Sequence, residues 1–154
     1  MIYTVTLNPA LDKTVEIEAF AVDTVNRITA MRTDPGGKGI NVSKVIRELG
    51  GKSVATGILG GDTGRSILSA LEVMGLETFF YFVEGETRTN LKVVDPVNHT
   101  NTDINEPGVV VSKEILDGLL QELLTKLGGE DLVVLSGSLP KGAPRDTYYT
   151  WGKA

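Results

Sequence analysis

The residues best suited to chemistry gather in a glycine-rich run, Pro35-Gly36-Gly37-Lys38-Gly39-Ile40-Asn41. Three glycines in four positions open backbone conformations closed to other residues and let a ligand approach the main chain. Apolar residues at Val42, Val45, Ile46 and Leu49, stopped by Gly50-Gly51, predict a helix directly after the run. The free N–H groups of its first turn, with the charge of Lys38 beside them, suit a phosphate. Asn41 adds a donor and an acceptor, as polyol recognition requires. A flexible turn is the rival reading of residues 35 to 39, and the run alone does not separate the two.

Two better-known phosphate motifs are excluded. Gly51-Lys52-Ser53 mimics the tail of a Walker A loop, but Ile46 stands where its first glycine belongs and the triplet follows a helix. No Gly-x-Gly-x-x-Gly occurs, which removes the usual sign of a dinucleotide site. Other candidates are spread along the chain. Asp12 follows a first strand, where open α/β sheets collect ligands, although a turn Asp bonded to nearby backbone is the commoner case. Arg88, Asn90 and Lys92 alternate with Leu91 and Val93, so they share one face of a strand. Ser138 lies in the small-residue turn Ser136-Gly137-Ser138-Leu139-Pro140, after a fourth strand. His99 is the one histidine and reads as a solvated turn residue.

Composition narrows the function. With 154 residues, 41% hydrophobic and 23% charged, the chain has the make-up of one globular domain. A formal net charge of -5 argues against a nucleic-acid or anionic-membrane partner. Any anion must be held by local geometry. The absence of cysteine rules out disulfides and thiolate metal sites and fits a reducing, cytoplasmic setting. No run approaches the roughly 20 apolar residues of a membrane span.

The elements that must position these residues follow an α/β order. Buried strands are expected at Ile2 to Leu7, Ser53 to Ile58, Thr78 to Val83 and Leu132 to Leu135. Gly60-Gly61-Asp62-Thr63-Gly64 reads as a turn, before a helix with the stripe Ile67, Leu68, Leu71 and Met74. Ser112 caps a leucine-rich helix that ends at Gly128-Gly129, and a last helix starts near Pro144. Two alternating runs, Thr14 to Glu18 and Arg27 to Met31, have no helix between them and read as a hairpin standing off the main sheet. Thr100 to Ile104 pairs back on Leu91 and Val93 through the turn at Asp95 to Asn98. The chain stops before a fifth sheet strand could follow, so residues 1–154 are expected to be the amino-terminal part of a longer domain.

In order, Thr6-Leu7-Asn8-Pro9-Ala10-Leu11-Asp12, Val25-Asn26-Arg27, Gly36-Gly37-Lys38-Gly39-Ile40-Asn41-Val42, Gly60-Gly61-Asp62-x-Gly64, Thr87-Arg88-Thr89-Asn90 and Ser136-Gly137-Ser138-Leu139-Pro140 resemble the PfkB family of carbohydrate kinases. The likeness is strongest to 1-phosphofructokinase, through Thr102-Asp103-Ile104-Asn105-Glu106-Pro107-Gly108, with tagatose-6-phosphate kinase close behind. It implies a truncated ribokinase-like three-layer α/β/α fold, with a parallel sheet and an inserted β-strand lid near 13–32 and 88–105. It also implies ATP-dependent phosphorylation of a ketohexose phosphate with Mg²⁺, in a dimer joined through the lid. Asp12, Asn41 and the Gly37 backbone would hold the sugar hydroxyls. Lys38, Arg27, Arg88 and Ser138, supported by Asn90, would hold the existing phosphate. The family's Gly-Ala-Gly-Asp motif, which carries the general base, is absent, so no catalytic residue is assigned in this chain. The residues here would form the sugar-facing half of a kinase with little or no activity of its own. A complete, non-catalytic sugar-phosphate binding or dimerisation module is the reading from another class.

Overall fold

A computed structural model describes all 154 residues, arranged as two β-sheets and four helices. The central sheet is parallel, in the order β5 (Glu77–Val83), β4 (Val54–Gly60), β1 (Ile2–Thr6), β8 (Leu132–Leu135). Tyr3, Val5, Leu7 and Ile58 pack on Leu116, Leu119 and Leu123 of α3 (Lys113–Lys126) and on Trp151 of the short α4 (Thr147–Trp151). The other face carries α1 (Lys38–Glu48) and α2 (Gly61–Val73), with Ile40, Leu59, Ile67 and Leu71 fully buried between them. Because side chains alternate along a strand, the two faces of one sheet serve two cores, which makes three layers.

The second sheet has the order β3 (Ala30–Gly36), β2 (Ala10–Glu16), β6 (Arg88–Asp95), β7 (Thr100–Asn105). β2 pairs antiparallel with β3 and parallel with β6, and β6 turns back on β7. Its outer side holds a small core of Val15, Ile17 and Val93, with Phe20 and Leu91 against it. Asp95 ties the far end together. Its buried carboxylate accepts from the Ala19, Phe20, Val97 and Asn98 amides and from Asn98 Nδ2, at 2.7 to 3.2 Å.

Several expectations need correction. Asp12 lies inside β2 and not in a turn, because the chain re-enters a strand at Ala10. The hairpin's second strand starts at Ala30 and runs on through Pro35-Gly36, so Arg27 to Thr29 are not strand. Gly61 to Gly64 form the first turn of α2. No free turn remains there, since Glu86 accepts from the Thr63 and Asp62 amides at 2.5 and 3.3 Å and stands in for the missing cap. The last helix begins at Thr147, three residues beyond Pro144.

The largest correction concerns α1. Its buried residues are Gly39, Ile40 and Ser43, while Val45 and Leu49 are 52% and 82% exposed. Periodicity marks a stripe without saying what covers it. Close docking decided the face instead. A Cβ at Gly39 would come within 2.5 Å of Thr6 Oγ1 and 2.7 Å of the Val5 carbonyl, so only glycine lets this turn rest on β1. Ser43 Oγ lies 2.7 Å from Thr4 Oγ1 and accepts from Ser53 Oγ at 2.9 Å, which satisfies three buried hydroxyls.

Candidate functional site

The two sheets meet over the amino-terminal end of α1, and a cleft of about 470 Å³ opens there. Its lining contains no hydrophobic residue. The inner face of the second sheet supplies most of it, because the register puts Asp34, Asp12, Asn90 and Asn105 side by side across β3, β2, β6 and β7. One pleat further out stand Arg32, Thr14, Lys92 and Asp103. The opposite wall is α1, through Asn41 and Lys44, which are spaced i, i+3 and so share a helix face.

Within this cleft Asp12 is held from two sides. Asn90 Nδ2 donates to Asp12 Oδ1 at 3.0 Å. Gly36 lies so close that a Cβ there would overlap the Asp12 carboxylate. Since Asn90 turns its amide NH₂ toward the carboxylate, its Oδ1 is buried beside it with no partner. A buried acceptor without a donor is uncommon, and a ligand hydroxyl is a group that would satisfy it.

Arg88 sits two residues along the same face of β6 from Asn90. Its guanidinium donates to the Asn8 carbonyl at 3.1 Å, the Pro9 carbonyl at 3.4 Å and Ser138 Oγ at 3.4 Å. Asn8 Nδ2 reaches the same Ser138 Oγ at 3.4 Å. The turn after β8 is thereby tied to the turn after β1, at the carboxyl ends of neighbouring strands. Gly37 caps α1 with φ +121°, which only glycine adopts freely, and exposed Lys38 begins the helix beside Gly137. The buried Ile40 amide donates to Thr6 Oγ1 at 2.9 Å, so the first-turn amides of Lys38 and Gly39 are the ones left for a ligand.

Asp12, Asn41 and Asn90 therefore line one cleft, while Arg88 and Ser138, bonded at 3.4 Å, and Lys38, which follows Gly37 beside Gly137, lie outside that lining. Arg27 stands apart. It lies on the exposed loop between β2 and β3, three residues before Ala30, whose pair with Glu16 is itself four positions along the hairpin from the Asp12 and Asp34 pair. That separation is roughly 14 Å at strand rise. Beyond Asp12, Asn41, Asn90 and Lys92, the lining holds seven residues that the sequence did not single out as candidates: Lys13, Thr14, Arg32, Asp34, Lys44, Asp103 and Asn105. Thr14, Arg32 and Asp34 carry the period-two alternation, but β2 begins four residues before the expected run at Thr14 and β3 runs five residues past Met31. Lys44 is one turn from Asn41, but its helix face was judged by apolar spacing alone.

The family model for pfkB carbohydrate kinases matches residues 5–154. The chain belongs to the PfkB family of carbohydrate kinases. The PfkB fold is evident in solved structures. A Thermotoga maritima protein assigned as a 1-phosphofructokinase is 40% identical with a TM-score of 0.91, over 99% of this chain and 49% of that one. A Staphylococcus aureus protein assigned as a phosphofructokinase is 37% identical with a TM-score of 0.89, over 99% and 49%. Escherichia coli phosphofructokinase-2, in complex with fructose-6-phosphate, is 30% identical with a TM-score of 0.91, over 99% and 50%. The chain spans about half the length of these PfkB relatives. PfkB kinases take their phosphoryl group from ATP. In this chain no three His, Cys, Asp or Glu side chains converge to hold a metal ion, and the cleft has no apolar wall for a nucleobase. The lining of this cleft does not fit a nucleobase, and no helix is long and apolar enough to cross a membrane.

Proposed function

We propose that this chain grips the sugar phosphate for an ATP-dependent kinase of the phosphofructokinase type, with fructose 1-phosphate as the acceptor to be converted to fructose 1,6-bisphosphate. The observation that carries the proposal is the wholly polar cleft in which Asp12, Asn90 and Asn41 face one another. Carboxylate and amide groups held in fixed positions suit a row of sugar hydroxyls. Outside the cleft lining Arg88, Ser138, Lys38 and the free amides of α1 offer cationic and hydrogen-bonding groups to the existing phosphate. The 40% identity to the Thermotoga maritima protein favours fructose 1-phosphate; tagatose 6-phosphate is the competing acceptor within the same cleft chemistry. The chain's own residues orient and bind, while the nucleotide, Mg²⁺ and the proton acceptor belong to the remainder of a PfkB domain.

An apolar outer face on the second sheet supports pairing of two such lids. Met31 and Ile104 are 59% and 53% exposed and lie across from Val15 and Leu91 on that face. A non-catalytic sugar-phosphate binding module is the second reading, resting on the same polar cleft.

A coupled assay on the complete gene product with ATP, comparing fructose 1-phosphate, fructose 6-phosphate and tagatose 6-phosphate, decides between them. Turnover is expected with fructose 1-phosphate, and no turnover with any of the three ends the kinase reading. Asp12→Ala is expected to raise KM for the sugar by roughly tenfold or more and leave the KM for ATP nearly unchanged, as loss of a charged hydrogen-bonding group predicts.

A further inference from the structure

Lys44 has no place in the motifs that mark this family member, yet it lines the cleft. From the second turn of α1 its Nζ donates to the Pro35 carbonyl at 2.6 Å, and the side chain is partly buried there. The bond links the helix wall to the end of β3, where Pro35 and Gly36 are both buried. The missing side chain of Gly36 leaves the space that Asp12 Oδ2 occupies, while Asp12 Oδ1 takes the Asn90 bond.

We propose that Lys44 is the positioning residue of the sugar-hydroxyl cradle. By holding the Pro35 carbonyl against α1 it sets the height of Gly36, and Gly36 fixes the direction in which Asp12 presents its oxygens to the ligand. Its ammonium has three donors and spends one on Pro35. The positive charge lines the same cleft as Asp12 and Asp34, which stand directly opposite each other across β2 and β3, with Arg32 at 3.8 Å from Asp34. Like charges so placed repel, and a cation one helix turn from Asn41 counters that repulsion within the cleft. The neutral Asn41 offers hydrogen bonds alone; Lys44 keeps the wall that Asn41 faces in register.

This inference rests on the sugar-phosphate reading, and calorimetry on the complete gene product separates the two. The probe is fructose 1-phosphate without nucleotide, titrated into the unaltered protein, Lys44→Met, Lys44→Arg, Asp12→Asn and the Lys44→Met/Asp12→Asn double variant. The unaltered protein is expected to bind. Lys44→Met is expected to weaken binding by roughly 10- to 100-fold, the range for a lost charge-assisted hydrogen bond, and Lys44→Arg should restore most of it, because guanidinium also donates to a carbonyl. In the Asp12→Asn background Lys44→Met should add little, since it acts through Asp12. Thermal melts show whether each variant is folded; should Lys44→Met melt early, Lys44→Arg and Lys44→Gln carry the comparison. Unchanged affinity in Lys44→Met, or losses that simply add to those of Asp12→Asn, overturn the role of Lys44 and leave the cleft reading standing. No binding by the unaltered protein overturns both.

Discussion

Asp12 and Asp95 show how differently two carboxylates of one sheet are used. Asp12 has a single side-chain partner and faces the cleft. Asp95 is saturated by hydrogen bonds. Burial alone would raise its pKa, but the Asn98 side chain and the Asn98, Phe20 and Val97 amides all favour the anion and hold it at about 2, against an ordinary 3.8. The folded-state value is depressed, so the stabilisation is present above the unfolded value and fades as pH falls from about 4 toward 2. Amide hydrogen exchange should therefore show Ala19, Phe20, Val97 and Asn98 losing protection across that window. In Asp95→Asn the protection should be weaker at neutral pH and flat through the same window; an unchanged acid profile would refute the role given to Asp95. Gly36 allows a second test at this scale. Gly36→Ala must push the Asp12 carboxylate aside, a movement open to a side-chain end. Stability should change by less than about 1 kcal/mol, while sugar-phosphate affinity, read by calorimetry, falls at least tenfold.

Among the elements, α1 decides whether the site exists. It starts on a glycine with φ +121°, rests its Gly39 turn on β1, and is pinned by hydroxyls of β1 and β4's approach strand at Thr4, Thr6 and Ser53. Ser43→Ala leaves Thr4 and Ser53 hydroxyls buried without their shared partner. It should cost about 1 to 3 kcal/mol in urea unfolding, with a loss below about 0.5 kcal/mol counting against the hydroxyl chain as a structural device. Helix α2 needs no ligand at its amino terminus, because Glu86 from the β5 to β6 connection already occupies it. Its pKa is lowered, first by the Thr63 amide. The same connection is fastened by Thr87, which accepts from the Gly60 amide through Oγ1 at 2.8 Å and donates its own amide to the Gly60 carbonyl at 3.0 Å. The second sheet is thus anchored to the first at a polar hinge. Its strands keep their register relative to Asn41.

At the scale of the whole molecule, a chain of net charge -5 concentrates four cations against three carboxylates in its cleft lining. That local excess would let an acidic protein hold the proposed sugar phosphate without attracting polyanions elsewhere. The outer face of the second sheet has the opposite character, with exposed Met31 and Ile104 continuing an apolar core. Such a face suits the proposed pairing of two lids. Ile104→Lys should shift the protein toward monomer in sedimentation velocity while its melting temperature stays close to that of the unaltered protein. A dimer that survives the substitution would exclude lid pairing through this face.

The sequence by itself determined the alternation of strands and helices, the standing-off hairpin, and the residue types that crowd the cleft, because these follow from local periodicity and from glycine's backbone freedom. It could name Asp12, Asn41 and Arg88 one motif at a time. Only the tertiary structure decided that Asp12 belongs to the second sheet, that Lys44 and Asp34 share its cleft, that Glu86 closes α2, and that Arg27 stands apart. The contacts behind the first three join residues 9 to 78 positions apart. Strand register and helix docking are settled by which faces can approach closely enough to satisfy buried polar groups, and no window along the chain contains both partners of such a choice.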